Sequence, residues 1–216
     1  MNFNELSFAA RFLDPLEDQG SVRVEASRMR AIQALEADRL NDLFFGDKDE
    51  VFLLRKELMS IPRREADLFT ISVLYWGYPD NNRQRCIYAM RAWNELIALV
   101  RDIRNHRNMS SDYYAGLEPV MAGIHNLNIS TYSKLFYFAK ASIDGYPCVI
   151  LDNNVMAGID NLEGEVFEEL KSSVIGTNRY RVYLRYLQAM GNLAAQIGVP
   201  AQNIEYALWL AGRKGL

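Results

Sequence analysis

The chain has 216 residues, 50% of them apolar and 24% charged, a globular balance with enough material for one large core rather than a disordered chain. Its formal net charge is -3, so any nucleic-acid contact must come from local positive charge and not from the total. Two cysteines, Cys86 and Cys148, fit a reducing cytoplasm and exclude a disulfide scaffold. The apolar runs are too short to span a bilayer, and the acidic, polar N-terminus does not read as a signal peptide. Taken in chain order, apolar positions recur at helical spacing over 22–43, 48–59, 65–76, 83–105, 111–124, 130–141, 163–174, 178–197 and 201–212. Residues 14–50 are acidic, with ten Asp/Glu against five Lys/Arg. Residues 83–107 reverse this, with six arginines (Arg83, Arg85, Arg91, Arg101, Arg104 and Arg107) against Glu95 and Asp102. Residues 171–185 carry Lys171, Arg179, Arg181 and Arg185 and no acid. Such arginines serve equally as solvated helix faces or as a phosphate-binding surface. Repeats, low-complexity tracts and Gly/Ser linkers are absent, and the predicted fold class is all-α.

The stretch STYSKLFYFAKASIDGYPCVILDNNV, residues 130–155, holds the residues with chemical promise. Ser130-Thr131 offers an N-cap for a helix carrying Lys134. Gly145-Tyr146-Pro147 closes the connection after it, and Cys148-Val149-Ile150-Leu151 reads as an extended buried connector. Beside Leu135, Phe136, Tyr137 and Phe138, Lys134 is half buried on any helical reading. Burial penalises an ammonium and favours the neutral amine that a nucleophile requires. The plainer alternative lays its stem on apolar surface with the ammonium in water. Asp152 occupies an N-cap position, where a carboxylate accepts backbone N–H bonds, and a cap alone explains it. It follows Lys134 by 18 residues, and about three helical turns, a turn and an extended return can bring both side chains to one cleft.

A helix-turn-helix with a lysine on its second helix, an extended connector and an aspartate capping the next helix resembles the helix-hairpin-helix DNA glycosylase superfamily, and within it the 8-oxoguanine DNA glycosylase/lyase branch. The resemblance implies a single helical domain over 1–216 made of two lobes, with the site in the interlobe cleft, the helix-hairpin-helix at about 113–141 and the catalytic segment at about 130–160. It implies Lys134 as the nucleophile and Asp152 as its assistant. It implies a double-stranded DNA partner carrying an oxidised or modified purine and β-elimination through a Schiff base; with no C-x-x-C, P-loop or G-x-G-x-x-G in the sequence, no cofactor or metal is expected.

The stretch HNLNISTYSK, residues 125–134, departs from the family's glycine-rich hairpin, and Asn126 and Asn128 supply turn geometry instead. Ser130, Thr131 and Ser133 are then the candidate donors to a DNA phosphate. LYWGYPDNNRQR, residues 74–85, sets Asn81, Asn82, Arg83 and Arg85 where the family fills the hole left by the flipped base. A solvated Pro-Asp-Asn turn accounts for the same residues. Tyr206, Trp209, Gln202 and Gln188 are available for the base pocket, although aromatic residues at helical spacing also read as core. The expected protein is a cytoplasmic monomer that contacts no membrane. Two other readings stay open: a repurposed or non-catalytic nucleic-acid-binding member of the fold, with protein partners from a bacterial antiphage defence operon, and a helical protein-interaction module.

Overall fold

Helical periodicity is realised in the computed structural model, which describes residues 1–31, 36–78, 83–124, 127–176 and 179–214. The elements, in order, are α1 (Phe3–Phe12), β1 (Val22–Glu25), α2 (Ala26–Arg30), α3 (Ala37–Phe45), β2 (Glu50–Leu53), α4 (Arg55–Leu58), α5 (Ala66–Gly77), α6 (Arg83–Arg91), α7 (Trp93–Asn105), β3 (Asn108–Met109), α8 (Ser111–Gly123), α9 (Ile129–Phe138), β4 (Ser142–Ile143), β5 (Tyr146–Pro147), α10 (Asn153–Asp160), α11 (Glu168–Ser173), α12 (Arg179–Ile197) and α13 (Ala201–Lys214). The class is all-α, with strands confined to two small sheets. Among the described residues no helix is long and apolar enough to cross a membrane.

Helix α9 is the axis of the packing. All ten of its residues are buried, so it has no solvent face for its polar side chains. Tyr132 ties it back to α8 by donating from its hydroxyl to the Met121 carbonyl at 2.8 Å. Helix α5 is buried continuously from Phe69 to Trp76 and flanks it. Helices α10, α12 and α13 complete the surroundings of the segment that carries Asp152.

Several predicted elements change character. The periodicity predicts one helix over 22–43 and another over 48–59. Instead β1 and β2 pair antiparallel, Val22 opposite Leu53 and Glu25 opposite Glu50, and α2, α3 and the single turn of α4 follow from what remains. V-R-V-E alternates apolar and polar residues, and pairing buries Val24 and Leu53 in the core. The helix predicted over 83–105 breaks at Ala92 (φ -110°, ψ 35°), which lets the Trp93 indole N–H donate to Asp67 at 2.9 Å. Residues 163–174 resolve into a 3-10 turn over Glu165–Phe167 and α11. Helix α1 carries a capping box, with the Asn2 side chain accepting from the Asn4 and Glu5 amides and the Glu5 carboxylate accepting from the Asn2 amide.

The cap of α9 is Asn128, whose Oδ1 accepts from the Ser130 amide at 3.1 Å, and not Ser130-Thr131. The helix ends three residues earlier than predicted. Ala141 N–H reaches the Phe136 carbonyl and Lys140 N–H the Tyr137 carbonyl, a Schellman stop with Lys140 at φ 57°. The turn that follows has Asp144 at φ 50° and Gly145 at φ 83°, the Asp-Gly signature of a tight β4–β5 hairpin.

Helices α10 and α13 approach backbone to backbone. A Cβ on Gly158 would lie 2.0 Å from the Leu208 carbonyl oxygen, and one on Gly212 would lie 1.9 Å from the Asn154 carbonyl oxygen. A methyl group at either place forces the helices apart. Gly212→Ala is expected to lower stability by about 3 kcal/mol, the upper range of overpacking. Gly116→Ala, on the exposed face of α8 with nothing near a new Cβ, is expected to raise it by about 1 kcal/mol. Urea unfolding of the two variants checks the contrast.

Candidate active site

Lys134 is the sixth residue of α9, and its side chain is only 6% exposed. A buried ammonium needs acceptors for its three donors. Nζ finds the Ser130 carbonyl at 3.1 Å, the Ser130 hydroxyl at 3.2 Å and Asp152 Oδ2 at 3.3 Å. The stem lies against Gly77 at the end of α5, where a Cβ would sit 3.1 Å from Lys134 Cδ. Gly77 thereby gives the lysine its channel to the cavity.

Asp152 divides its two oxygens. Oδ1 accepts from the Asn154 and Val155 amides at 3.0 and 3.1 Å, capping α10, while Oδ2 faces the lysine. The cap fixes the carboxylate against rotation, so its second oxygen is presented in one direction. The connector before it is pinned along its length. Cys148 N–H donates to the Ala141 carbonyl at 2.9 Å, and Leu151 N–H to Ser133 Oγ at 3.1 Å. The hydroxyls of Tyr183 and Tyr186 on α12 donate to the Val149 and Ile150 carbonyls at 3.0 and 2.9 Å. Burial pushes both tyrosines well above the usual phenol range, so they remain donors.

Both side chains open into a cavity of about 750 Å³. The segment Gln19–Arg23 with Glu25 and Arg28 lines it, and so do Asn154, Tyr206, Trp209, Leu210 and Arg213. The Tyr206 and Trp209 rings stack at 5.9 Å and 21°, and the Arg213 guanidinium covers Trp209 at 5.1 Å. Trp76 lines the cavity as well, and its buried indole Nε1 has no acceptor among the described residues.

Beside this cavity lies a second ion pair, and nothing in the sequence periodicity announces it. Arg55 and Glu205 are 1% and 0% exposed and meet through two bonds of 2.9 and 3.3 Å. Arg55 also donates to Tyr137 Oη at 3.2 Å and to Gln19 Oε1, and it lies 5.4, 5.1 and 5.7 Å from the rings of Trp76, Tyr137 and Tyr206. Burial opposes the Arg55 charge, but Glu205 and Tyr137 outweigh it and hold the guanidinium above its usual value. Burial pushes the Glu205 carboxyl up by more than Arg55 draws it down. Tyr206 and Trp209, named from the sequence as pocket candidates, do line the cavity. Gln202 does not: it accepts from Tyr137 at 3.4 Å. Gln188 lines a separate hollow with Asp144 and Tyr146.

The hairpin serines are turned inward. The Ser130 hydroxyl accepts from Lys134, the Thr131 hydroxyl pairs with Tyr78 at 2.5 Å, and Ser133 donates to the Ser130 carbonyl and accepts from Leu151. Thr131 and Ser133 are 1% and 0% exposed, the first held by Tyr78 and the second by the connector, so neither side chain presents a donor to a DNA phosphate. The reason is the total burial of α9, which the amphipathic reading of its sequence understates. Asn81, Asn82 and Asn126 lie outside the described residues; Arg83 and Arg85 open α6, and their side chains are likewise undescribed. Lys140 is exposed beyond the end of α9, on no face of that helix.

Residues 17–209 match one family model, described as "Putative 8-oxoguanine DNA glycosylase OGG-like protein". No curated protein and no solved structure matches the chain.

The buried pair is expected to act as a unit. Arg55→Met leaves Glu205 buried without its counter-charge and is expected to destabilise the fold by about 3–5 kcal/mol. Glu205 then has an even stronger reason to hold a proton when folded. Its folded-state value lies above its unfolded one, so the folded variant binds more protons in that range and its stability falls as pH rises through it. Urea unfolding of the variant and wild type across pH 4–8 reads the difference in slope.

Proposed function

The chain belongs to this OGG-like glycosylase family, and from that premise we propose that it excises an oxidised or modified purine through a Schiff base on Lys134. Membership gives DNA glycosylase-like function on a DNA substrate. The observation that carries the finer reading is the 3.3 Å approach of Lys134 Nζ to the free oxygen of a helix-capping Asp152 inside an open cavity.

In this mechanism the target nucleotide leaves the stack, because its C1′ is inaccessible within a duplex. Lys134 enters the step as its neutral amine, and its nitrogen lone pair attacks C1′ while Asp152 is still a carboxylate. The C1′–N bond breaks, the electron pair departs with the base, and the proton shed by the attacking nitrogen passes through Asp152 to the departing base. The charge of Asp152 beside the sugar stabilises the cationic transition state. Opening of the sugar gives an iminium on Lys134, and loss of a C2′ proton expels the 3′ phosphate. Tyr206 and Trp209 offer aromatic faces to the extruded base. Arg213 at the cavity rim, with Arg83 and Arg85 at the start of α6, supplies positive charge for flanking phosphates.

Borohydride trapping on duplexes carrying a panel of modified purines tests the assignment. Wild type is expected to give a covalent adduct and Lys134→Gln none, with duplex affinity retained. Lys140→Gln is expected to trap as wild type does. Asp152→Asn keeps the cap, since asparagine caps as well as aspartate, and is expected to slow base excision on the order of 100-fold. A Lys134→Gln protein that still traps DNA refutes the nucleophile. A wild type that traps nothing across the panel refutes the lyase and favours a nucleic-acid-binding role.

A further inference from the structure

Away from the cavity, three arginines gather without a carboxylate. Arg104, in the last turn of α7, is 3% exposed. Its Nη2 donates to the Ile61 carbonyl at 2.5 Å, and its guanidinium lies 4.2 Å over the Phe69 ring. Its Nε and Nη1 are buried with no acceptor among the described residues, and so is the Nε of Arg107 just past the helix end. Arg63, in the exposed loop between α4 and α5, adds a third charge that acts on both.

The neighbouring acids do not relieve them. Glu65 sits 4.0 Å from Arg64 and reaches Arg104 by charge alone, without a bond. Asp102 accepts from Tyr113 Oη at 2.7 Å and lies 3.0 Å from His106. Among the described residues no carboxylate comes within ion-pair distance of Arg63, Arg104 or Arg107. Burial first, and then mutual repulsion, holds Arg104 and Arg107 below the usual arginine value. The carbonyl end of α7 contributes only a partial negative charge.

A buried, unsatisfied guanidinium beside two like charges is unfavourable unless something negative completes it. We propose that Arg63, Arg104 and Arg107 form an oxyanion site for a phosphate group, distinct from the Lys134 cavity. A tetrahedral dianion supplies several acceptors in different directions, which matches three planar forks better than the two coplanar oxygens of a carboxylate. The phosphate belongs either to a DNA backbone or to a free phosphate or phosphomonoester, and the same arginines serve both.

Two measurements on the full chain decide it, using Arg63→Ala and Arg107→Ala, both of which remove partly or wholly exposed side chains. The first is thermal unfolding in inorganic phosphate against sodium chloride at equal ionic strength. The second is the affinity of an undamaged duplex across a salt series. A phosphate-specific rise in Tm that shrinks in the variants assigns the site to free phosphate. A loss of duplex affinity of about tenfold, with a salt slope lowered by about one unit per arginine, assigns it to the DNA backbone. Variants indistinguishable from wild type in both measurements overturn the proposal. Neither readout depends on Lys134, so failure here is separable from failure of the excision mechanism.

Discussion

Burying charge is the constraint around which this molecule is arranged. Lys134–Asp152 and Arg55–Glu205 lie in one electrostatic neighbourhood, close enough that Glu205 feels the charges of both Asp152 and Lys134. None of the four can be left single inside the protein. Satisfying Arg55 gathers Gln19, Tyr137, Trp76 and Tyr206 around it, and these come from four separate parts of the chain. Gln19 is the consequential one, because its bond to Arg55 draws the segment leading into β1 across the cavity and makes it a wall.

The Lys134–Asp152 pair is rigid for a different reason. Its carboxylate is fixed by backbone amides, and the connector that carries it is fixed by side chains of α9 and α12. Asp152 is held by two amides of α10, and α10 is held by the glycine approach to α13. The connector before it hangs from Ser133, Tyr183 and Tyr186. A site supported in this way keeps its geometry without substrate, which is what preorganised electrostatic catalysis asks of a carboxylate. The aromatic wall of Tyr206 and Trp209 rides on α13, so the same glycines that place the carboxylate also place the face offered to a base.

Ser130, Thr131 and Ser133 show how a local pattern and a tertiary environment diverge. Three hydroxyls at a helix start read as a polar edge open to an anion. Once α9 lies at the centre of the core, hydroxyls must bond internally, and each takes a partner from a neighbouring segment or from the lysine itself. The hydroxyls that a hairpin would offer outward become the scaffold of the amine.

What the sequence determined by itself is what short-range chemistry can carry. Helical periodicity over most of the chain fixed the all-α class. The residues flanking Asp152 made it a helix cap, and the 18-residue interval made its meeting with Lys134 sterically reachable. The Asn2/Glu5 box, the V-R-V-E alternation and the Asp144-Gly145 turn were equally local, and a helix-length window passed over them. Only the tertiary structure decided the rest. Arg55 meets Glu205 across 150 residues and Gln19 across 36, and Trp76 joins the same cavity from α5. Such contacts leave no period in the sequence, because their strength comes from removing charges and rings from water together, and which ones meet depends on how the helices pack.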